Sequence, residues 1–236
     1  MKRILRFFFY LLYHPFAFAY DLVAATVSFG RWNDWVLEVV PFIEGRRILE
    51  IGNGPGHLQR VLLSRGLVAV GLDESPQMGQ LAKRRIDGKF PSTGNVRSQS
   101  LANYLMHESG YTQSRITRGL AQCLPFLDAT FDTVVATFPS EYIFNPSTLT
   151  EAHRVLTENG RFVILPGALI TGHGVWDRFL AWLFRFTGQT PPNLSEIVHE
   201  KTREPFANAG FQVEVHELDG KSSIVFIVVA IKMNPR

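Results

Sequence analysis

Residues 46–57 read RRILEIGNGPGH. Two arginines precede an apolar run broken once by Glu50, and glycine then recurs at alternate positions, Gly52, Gly54 and Gly56. A short apolar run closed by glycine reads as a buried strand. Glycine lets the chain turn sharply and removes the Cβ that would hold a ligand away from the main chain. Leu58, Val61 and Leu62 follow at helical spacing, so the loop opens a helix running from His57 to Arg65. A helix start presents unpaired N–H donors, so this stretch predicts a ligand-binding turn between a first strand and a first helix.

Outward from that turn the same alternation continues. LVAVGLD (67–73) is a second apolar run ending in an acid. Ser75 is placed to cap a helix that begins at Pro76 and reaches Ile86. Residues 113–119 form a weaker third strand and FDTVVATF (131–138) a fourth. The pattern predicts a helix over 146–158 stopped by Asn159-Gly160, then a fifth strand, RFVILPG (161–167). Residues 196–209 read as a helix, and 211–218 and 222–232 as two strands joined at Asp219-Gly220. Strands alternating with helices imply a doubly wound α/β sheet, mostly parallel. The last two strands sit too close for a helical crossover and must form a hairpin, which brings in one antiparallel strand.

Three stretches depart from that rhythm. Residues 4–29, ILRFFFYLLYHPFAFAYDLVAATVSF, are strongly apolar, but Arg6, His14, Pro15 and Asp21 interrupt them. A membrane-spanning helix needs roughly 20 mostly apolar residues. Lys2, Arg3 and Arg6 can share one side of a helix with Tyr10, Tyr13 and His14. That suits a helix lying at an anionic membrane surface; packing on the domain or on a partner chain fits equally. We take residues 1–40 as an apolar lid or anchor and 41–236 as the main domain. The second stretch, residues 88–112, is a long polar insertion. The third, 168–194, is an excursion containing a very apolar helix over 175–186.

Bulk composition bounds the function. The chain has 236 residues, 46% hydrophobic and only 19% charged, with a formal charge of +3. That charge is too small to argue for nucleic acid. The single cysteine, Cys123, excludes an intrachain disulfide and suits a reducing compartment, so we expect a cytoplasmic protein, peripheral at the membrane if the N-terminal segment meets lipid. The seven histidines are dispersed and no metal-ligand spacing occurs.

Spacing and charge narrow the ligand. A dinucleotide-binding loop follows Gly-x-Gly-x-x-Gly, and its third glycine would fall at His57. A pyrophosphate would also be poorly served by Glu50 beside it. S-adenosylmethionine carries an ammonium and a sulfonium and no phosphate, so a nearby acid favours it. Asp73, ending the second strand, can accept from both hydroxyls of a ribose or can cap the following helix.

Four blocks, ILEIGNGPGHL (48–58), VGLDESPQM (70–78), ITRGLAQCLPFLDATFDTVVATFP (116–139) and EAHRVLTENGRFVIL (151–165), together resemble the class I S-adenosylmethionine-dependent methyltransferases. AYDLVAATVSFGRWNDW (19–35) looks like the N-terminal pattern of the quinone-biosynthesis C-methyltransferases and their lipid-methylating relatives. The resemblance implies a seven-stranded sheet of order 3-2-1-4-5-7-6. It implies that Gly52, Asn53, Gly54 and Gly56 line the methionine moiety, that Glu50 helps position its amino group, and that Asp73 holds the ribose. Glu74 and Met78 would lie beside the adenosine, with Met78 packing on adenine. Ala121 would present its N–H to the ring, with Gln122 adjacent. Thr137 and Phe138 would stand where cofactor and acceptor meet, and Tyr20 would belong to a segment closing over the site. Leu120 departs from the family pattern, which carries Asp or Asn there to read the adenine amino group.

Methyl transfer is an in-line displacement whose reactivity comes from the cofactor, so the protein mainly supplies alignment. Tyr142, Glu141, His173 and Tyr20 are the candidates for a catalytic side chain; Glu141 could instead cap the next helix. TFPSEY after the fourth strand lacks the signature of base aminomethylation, and no aromatic-interleaved basic patch suggests RNA. The apolar segments point to a lipophilic small-molecule acceptor such as a quinone precursor, lipid or isoprenoid. Two other readings stand beside this one: a membrane-peripheral protein that binds S-adenosylmethionine without catalysis, and a nicotinamide-dependent oxidoreductase, which His57 disfavours.

Overall fold

The computed structural model describes residues 31–87, 115–171, 194–220 and 223–233. The insertion at 88–112, the apolar helix at 175–186, and all of the N-terminal segment before residue 31 lie outside the described residues.

The seven strands are β1 (Arg47–Ile51), β2 (Val68–Asp73), β3 (Arg115–Arg118), β4 (Phe131–Thr137), β5 (Leu156–Ile170), β6 (Phe211–Asp219) and β7 (Ser223–Lys232). They form one sheet in the order β3-β2-β1-β4-β5-β7-β6, as the resemblance implies. The pairings from β3 through β5 are parallel, and β7 runs antiparallel to both β5 and β6. The strand order reverses between β1 and β4, and in open α/β sheets ligands bind beyond the carboxyl ends at such a switch.

The central strands are apolar on both faces because helices cover both. Successive residues alternate between two cores. Ile48, Val135, Val163 and Leu165 pack under α1 (Trp32–Leu37) and α2 (His57–Ser64), through Trp35, Val36, Leu58 and Leu62. Leu49, Val134, Phe162 and Ile164 pack against α4 (Pro146–Val155) and α5 (Leu194–Asn208), through Leu149, Ala152, Val198 and Phe206. Trp35, Val36, Val39 and Val40 are buried in the first core, so the described end of the expected N-terminal unit packs directly on the sheet. The Trp35 indole Nε1 donates to Ser223 Oγ at 2.9 Å, tying α1 to the start of β7.

The helix α3 (Pro76–Ile86) matches its sequence reading: Ser75 is the N-cap, and its Oγ accepts from Met78 N at 3.3 Å. The helix expected over 146–158 stops at Val155 instead, and β5 begins at Leu156. The reason is tertiary. The carbonyls of Arg154 and Val155, which a longer helix would use, accept from Ala129 N (3.0 Å) and Thr130 N (2.8 Å) of the segment before β4. Asn159 does adopt left-handed backbone (φ 59°), but within β5, where the register against β4 shifts.

Candidate functional site

The glycine loop leaves β1 with its amides turned back on β2. Gly52 N donates to Leu72 O at 2.7 Å and Asn53 N to the same carbonyl at 3.3 Å. Gly52 has φ +69°, and a Cβ there would lie 2.5 Å from Tyr142 Oη. At Gly56, φ +82°, a Cβ would meet Ala82 Cα at 2.9 Å, so loop and α3 approach as closely as backbone allows. At Gly54 the same construction meets nothing within 4 Å among the described residues. The loop is braced from inside: Asn53 Nδ2 donates to Gly54 O at 2.8 Å, and the buried Arg85 guanidinium, from α3, donates to Pro55 O.

Two carboxyl groups flank the loop. Glu50 is 1% exposed on β1. Burial pushes its carboxyl up to about 8, a hydrogen bond from Gln59 works against that shift, and the charge of Asp73 adds to it. Among the described residues, its Oε2 is buried without a hydrogen-bond partner. An orphaned buried acceptor is costly and calls for a donor or a proton. Asp73 Oδ2 accepts from Gly54 N and Oδ1 from Ser75 N, both at 2.8 Å. It therefore joins the glycine loop to the start of α3.

The other predicted residues divide. Gly119 N donates to Asp73 O at 3.2 Å, which brings the turn at 120–123 beside the end of β2. In that turn Ala121 is buried, Gln122 half-buried and Leu120 exposed. Glu74 is exposed, and its carbonyl accepts from Arg118 Nε at 3.0 Å. Met78 is 0% exposed, because the helical phase of Met78, Ala82, Arg85 and Ile86 turns it beneath α3. Thr137 ends β4 half-buried. Phe138 follows in left-handed backbone (φ 47°), its N–H on Leu165 O at 2.7 Å and its ring stacked on Trp32, centroids 4.0 Å apart. Tyr142, in a 3-10 turn over Glu141–Phe144, reaches Gly52, whereas Glu141 is exposed. The cap of α4 is Asn145, whose Oδ1 accepts from Ser147 N at 2.9 Å, so Glu141 has no capping role. His173 and Tyr20 lie outside the described residues.

Sequence reading missed Arg85, Gln59 and Trp32. Arg85 and Gln59 left a signal, a polar side chain in an apolar helical stripe: Arg85 beside Met78, Ala82 and Ile86, and Gln59 beside Leu58, Leu62 and Leu63.

The set suits a ligand with cationic and hydroxyl groups and no phosphate. It offers a cradle closed to any Cβ at Gly52, an orphaned carboxyl oxygen on Glu50 and a second acid at the next strand end. These residues fit S-adenosylmethionine, which carries an ammonium, a sulfonium and a ribose and no phosphate.

Comparison with known proteins agrees. Residues 49–164 match a family model described as a methyltransferase domain. The chain is 26% identical to the ubiquinone/menaquinone biosynthesis C-methyltransferase UbiE of Geotalea uraniireducens over 155 residues, 62% of this chain and 57% of that protein. It is 31% identical to the demethylmenaquinone methyltransferase of Symbiobacterium thermophilum over 163 residues, 65% of this chain and 57% of that protein. The chain thus spans less than two thirds of the length of these relatives. Among solved structures, Haemonchus contortus phosphoethanolamine N-methyltransferase 2 in complex with S-adenosylmethionine superposes with a TM-score of 0.54 at 17% identity, covering 87% of this chain and 53% of that one. With the sheet order, the glycine loop and the domain match in agreement, residues 49–164 form a methyltransferase domain of the class I S-adenosylmethionine-dependent kind, and S-adenosylmethionine is its cofactor.

Proposed function

We propose that this chain transfers the methyl group of S-adenosylmethionine to a small lipophilic acceptor of the quinone-precursor kind, approached from a membrane surface. The observation that carries the acceptor class is the likeness to quinone-biosynthesis C-methyltransferases, at 26% and 31% identity. The apolar residues 4–29, with Lys2, Arg3 and Arg6, support the membrane part.

The cofactor supplies an electrophilic methyl group, and the chain's own residues hold and orient it. Gly52, Asn53, Gly54 and Gly56 would line the methionine end, with Glu50 beneath as the acid partner of the amino group. Asp73 would hold the ribose and keep its bonds to Gly54 and Ser75, so ribose and loop are fixed by one carboxylate. Ala121 would offer its N–H to adenine, with Gln122 and the exposed Leu120 at the rim. Glu74 would stand beside the adenosine. Thr137 would face the meeting point of donor and acceptor. Tyr142 is the candidate best placed for contact near the reacting carbon, because its hydroxyl already reaches the first glycine of the loop.

The test is transfer of radiolabelled methyl from S-adenosylmethionine to demethylated quinone precursors and to total lipid extract, with flotation on anionic liposomes in parallel. Label in the quinone fraction supports the reading. Label in water-soluble products only overturns the lipophilic acceptor, and absence of flotation overturns the membrane part.

A further inference from the structure

Trp32 and Phe138 make an aromatic pair just past the carboxyl end of β4. Phe138 is the first residue past β4, and it holds a left-handed φ of 47° that side-chain-bearing residues rarely adopt. Such strain persists only where the surroundings over-determine it, and it gathers at functional sites. Here the surroundings are specific. The Phe138 N–H is tied to Leu165 O at 2.7 Å, and its ring lies on Trp32 with an interplanar angle of 26°. Trp35, one turn along α1, has its ring centroid 6.2 Å from that of Phe138 and is itself locked to Ser223 Oγ. Trp32 and Phe138 both keep part of their surface open, whereas Trp35 is buried.

Their place along the sheet edge matters. Asp73 marks the ribose end over β2, and Gly52 marks the methionine end over β1. Continuing the strand order, the next carboxyl ends belong to β4 and β5, where the Phe138–Leu165 bond lies. An in-line acceptor must stand on the far side of the methyl carbon from the sulfur. With β2 and β1 taken by the donor, the β4–β5 edge is the room that remains.

We propose that the stacked Trp32–Phe138 pair is the flat wall of the acceptor site and selects acceptors that present a planar aromatic ring. The inference rests on the methyl-transfer reading above and goes further, naming the specificity-determining side chains and the shape they choose. Aromatic faces favour offset stacking with another ring, and a strained, hydrogen-bonded backbone holds the wall at a fixed angle. A ring laid on it is placed before reaction rather than during it.

The experiment uses the full chain with naphthohydroquinone as the planar acceptor and phosphoethanolamine as the non-planar one. Donor binding is measured by calorimetry, and naphthoquinone binding by quenching of tryptophan fluorescence. Phe138→Leu and Trp32→Leu should each lower kcat/KM for the planar acceptor about tenfold, mostly through KM, and abolish the corresponding quench. Donor affinity should stay within about twofold. Trp32→Phe, which keeps a ring in the stack, should recover most of the loss. Phe138→Gly relieves the backbone while deleting the ring, so a well-folded Phe138→Gly that still loses the planar acceptor separates recognition from folding. The inference is overturned if both Leu variants keep planar turnover, or if they weaken donor binding and leave the acceptor's KM unchanged. Methylation of phosphoethanolamine in preference to the ring also overturns it. If no methyl is transferred but a quench persists that Trp32→Leu removes, the wall stands and the methyl-transfer reading fails.

Discussion

Glu50 sets the energetics at the scale of single residues. Its carboxyl is pushed up to about 8, well above the usual carboxylate range, chiefly by burial. Below pH 4.5 both folded and unfolded chains keep the proton and there is no penalty; as pH rises toward 8 the unfolded chain ionises first, so stability falls across that window. A cationic ligand reverses the preference, because it favours the ionised carboxylate. S-adenosylmethionine affinity should therefore rise between pH 6.5 and 8.5 by about tenfold per unit on the acid side of the transition, measured by calorimetry. Glu50→Gln should flatten that profile, weaken binding about tenfold or more, and raise the melting temperature at pH 8. Gly52→Ala carries two conflicts, a φ of +69° and a Cβ 2.5 Å from Tyr142 Oη. It should abolish donor binding. Adding Tyr142→Phe removes the oxygen and should restore only part of it, since the backbone conflict stays. The glycines and both acids were legible in sequence, because spacing and charge alone separate this loop from a dinucleotide loop. The burial of Met78 was not: only the phase of α3 against the sheet turns that side chain inward.

Between elements, the site depends on contacts that join segments far apart in sequence. Arg154 of α4 bonds Glu151 and Asp128 and donates to the carbonyls of Phe126 (2.8 Å) and Leu124 (3.0 Å). Glu151 in turn accepts from Leu124 N at 2.7 Å. The bonds to Arg154 hold the carboxyl of Glu151 below its usual range. This cluster fixes the segment that runs from the Ala121 turn into β4. Arg154→Ala should cost about 2–3 kcal/mol in urea unfolding, because it strips several charge-assisted bonds at once. It should also loosen the adenine side of the site, read as a weaker donor Kd with little change in kcat. The same interactions explain the misread helix end. Asn159-Gly160 is a local stop signal, but the carbonyls of Arg154 and Val155, which precede that signal, are already claimed by the N–H groups of Ala129 and Thr130. Ser75-Pro76, by contrast, starts α3 where local chemistry places it.

For the molecule as a whole, the reversal of strand order between β1 and β4 brings two separate pieces of sequence to one sheet edge. The glycine loop follows β1 and Asp73 ends β2, and the aromatic pair sits past β4. Alternating apolar and punctuating residues announced that architecture, and four sequence blocks fixed its order. The contact of Trp32 with Phe138 was hidden, since the two are separated by more than a hundred residues and meet only through the packed sheet. The account's central claim is that the cradle between Glu50 and Asp73 is made for a sulfonium cofactor rather than a phosphate-bearing one. Titration calorimetry of the full chain with S-adenosylmethionine and, separately, with NADH tests it most directly. One saturable site for S-adenosylmethionine, lost in Gly52→Ala and weakened in Asp73→Asn, with no heat from NADH, is the predicted result; saturable NADH binding without S-adenosylmethionine binding would contradict it.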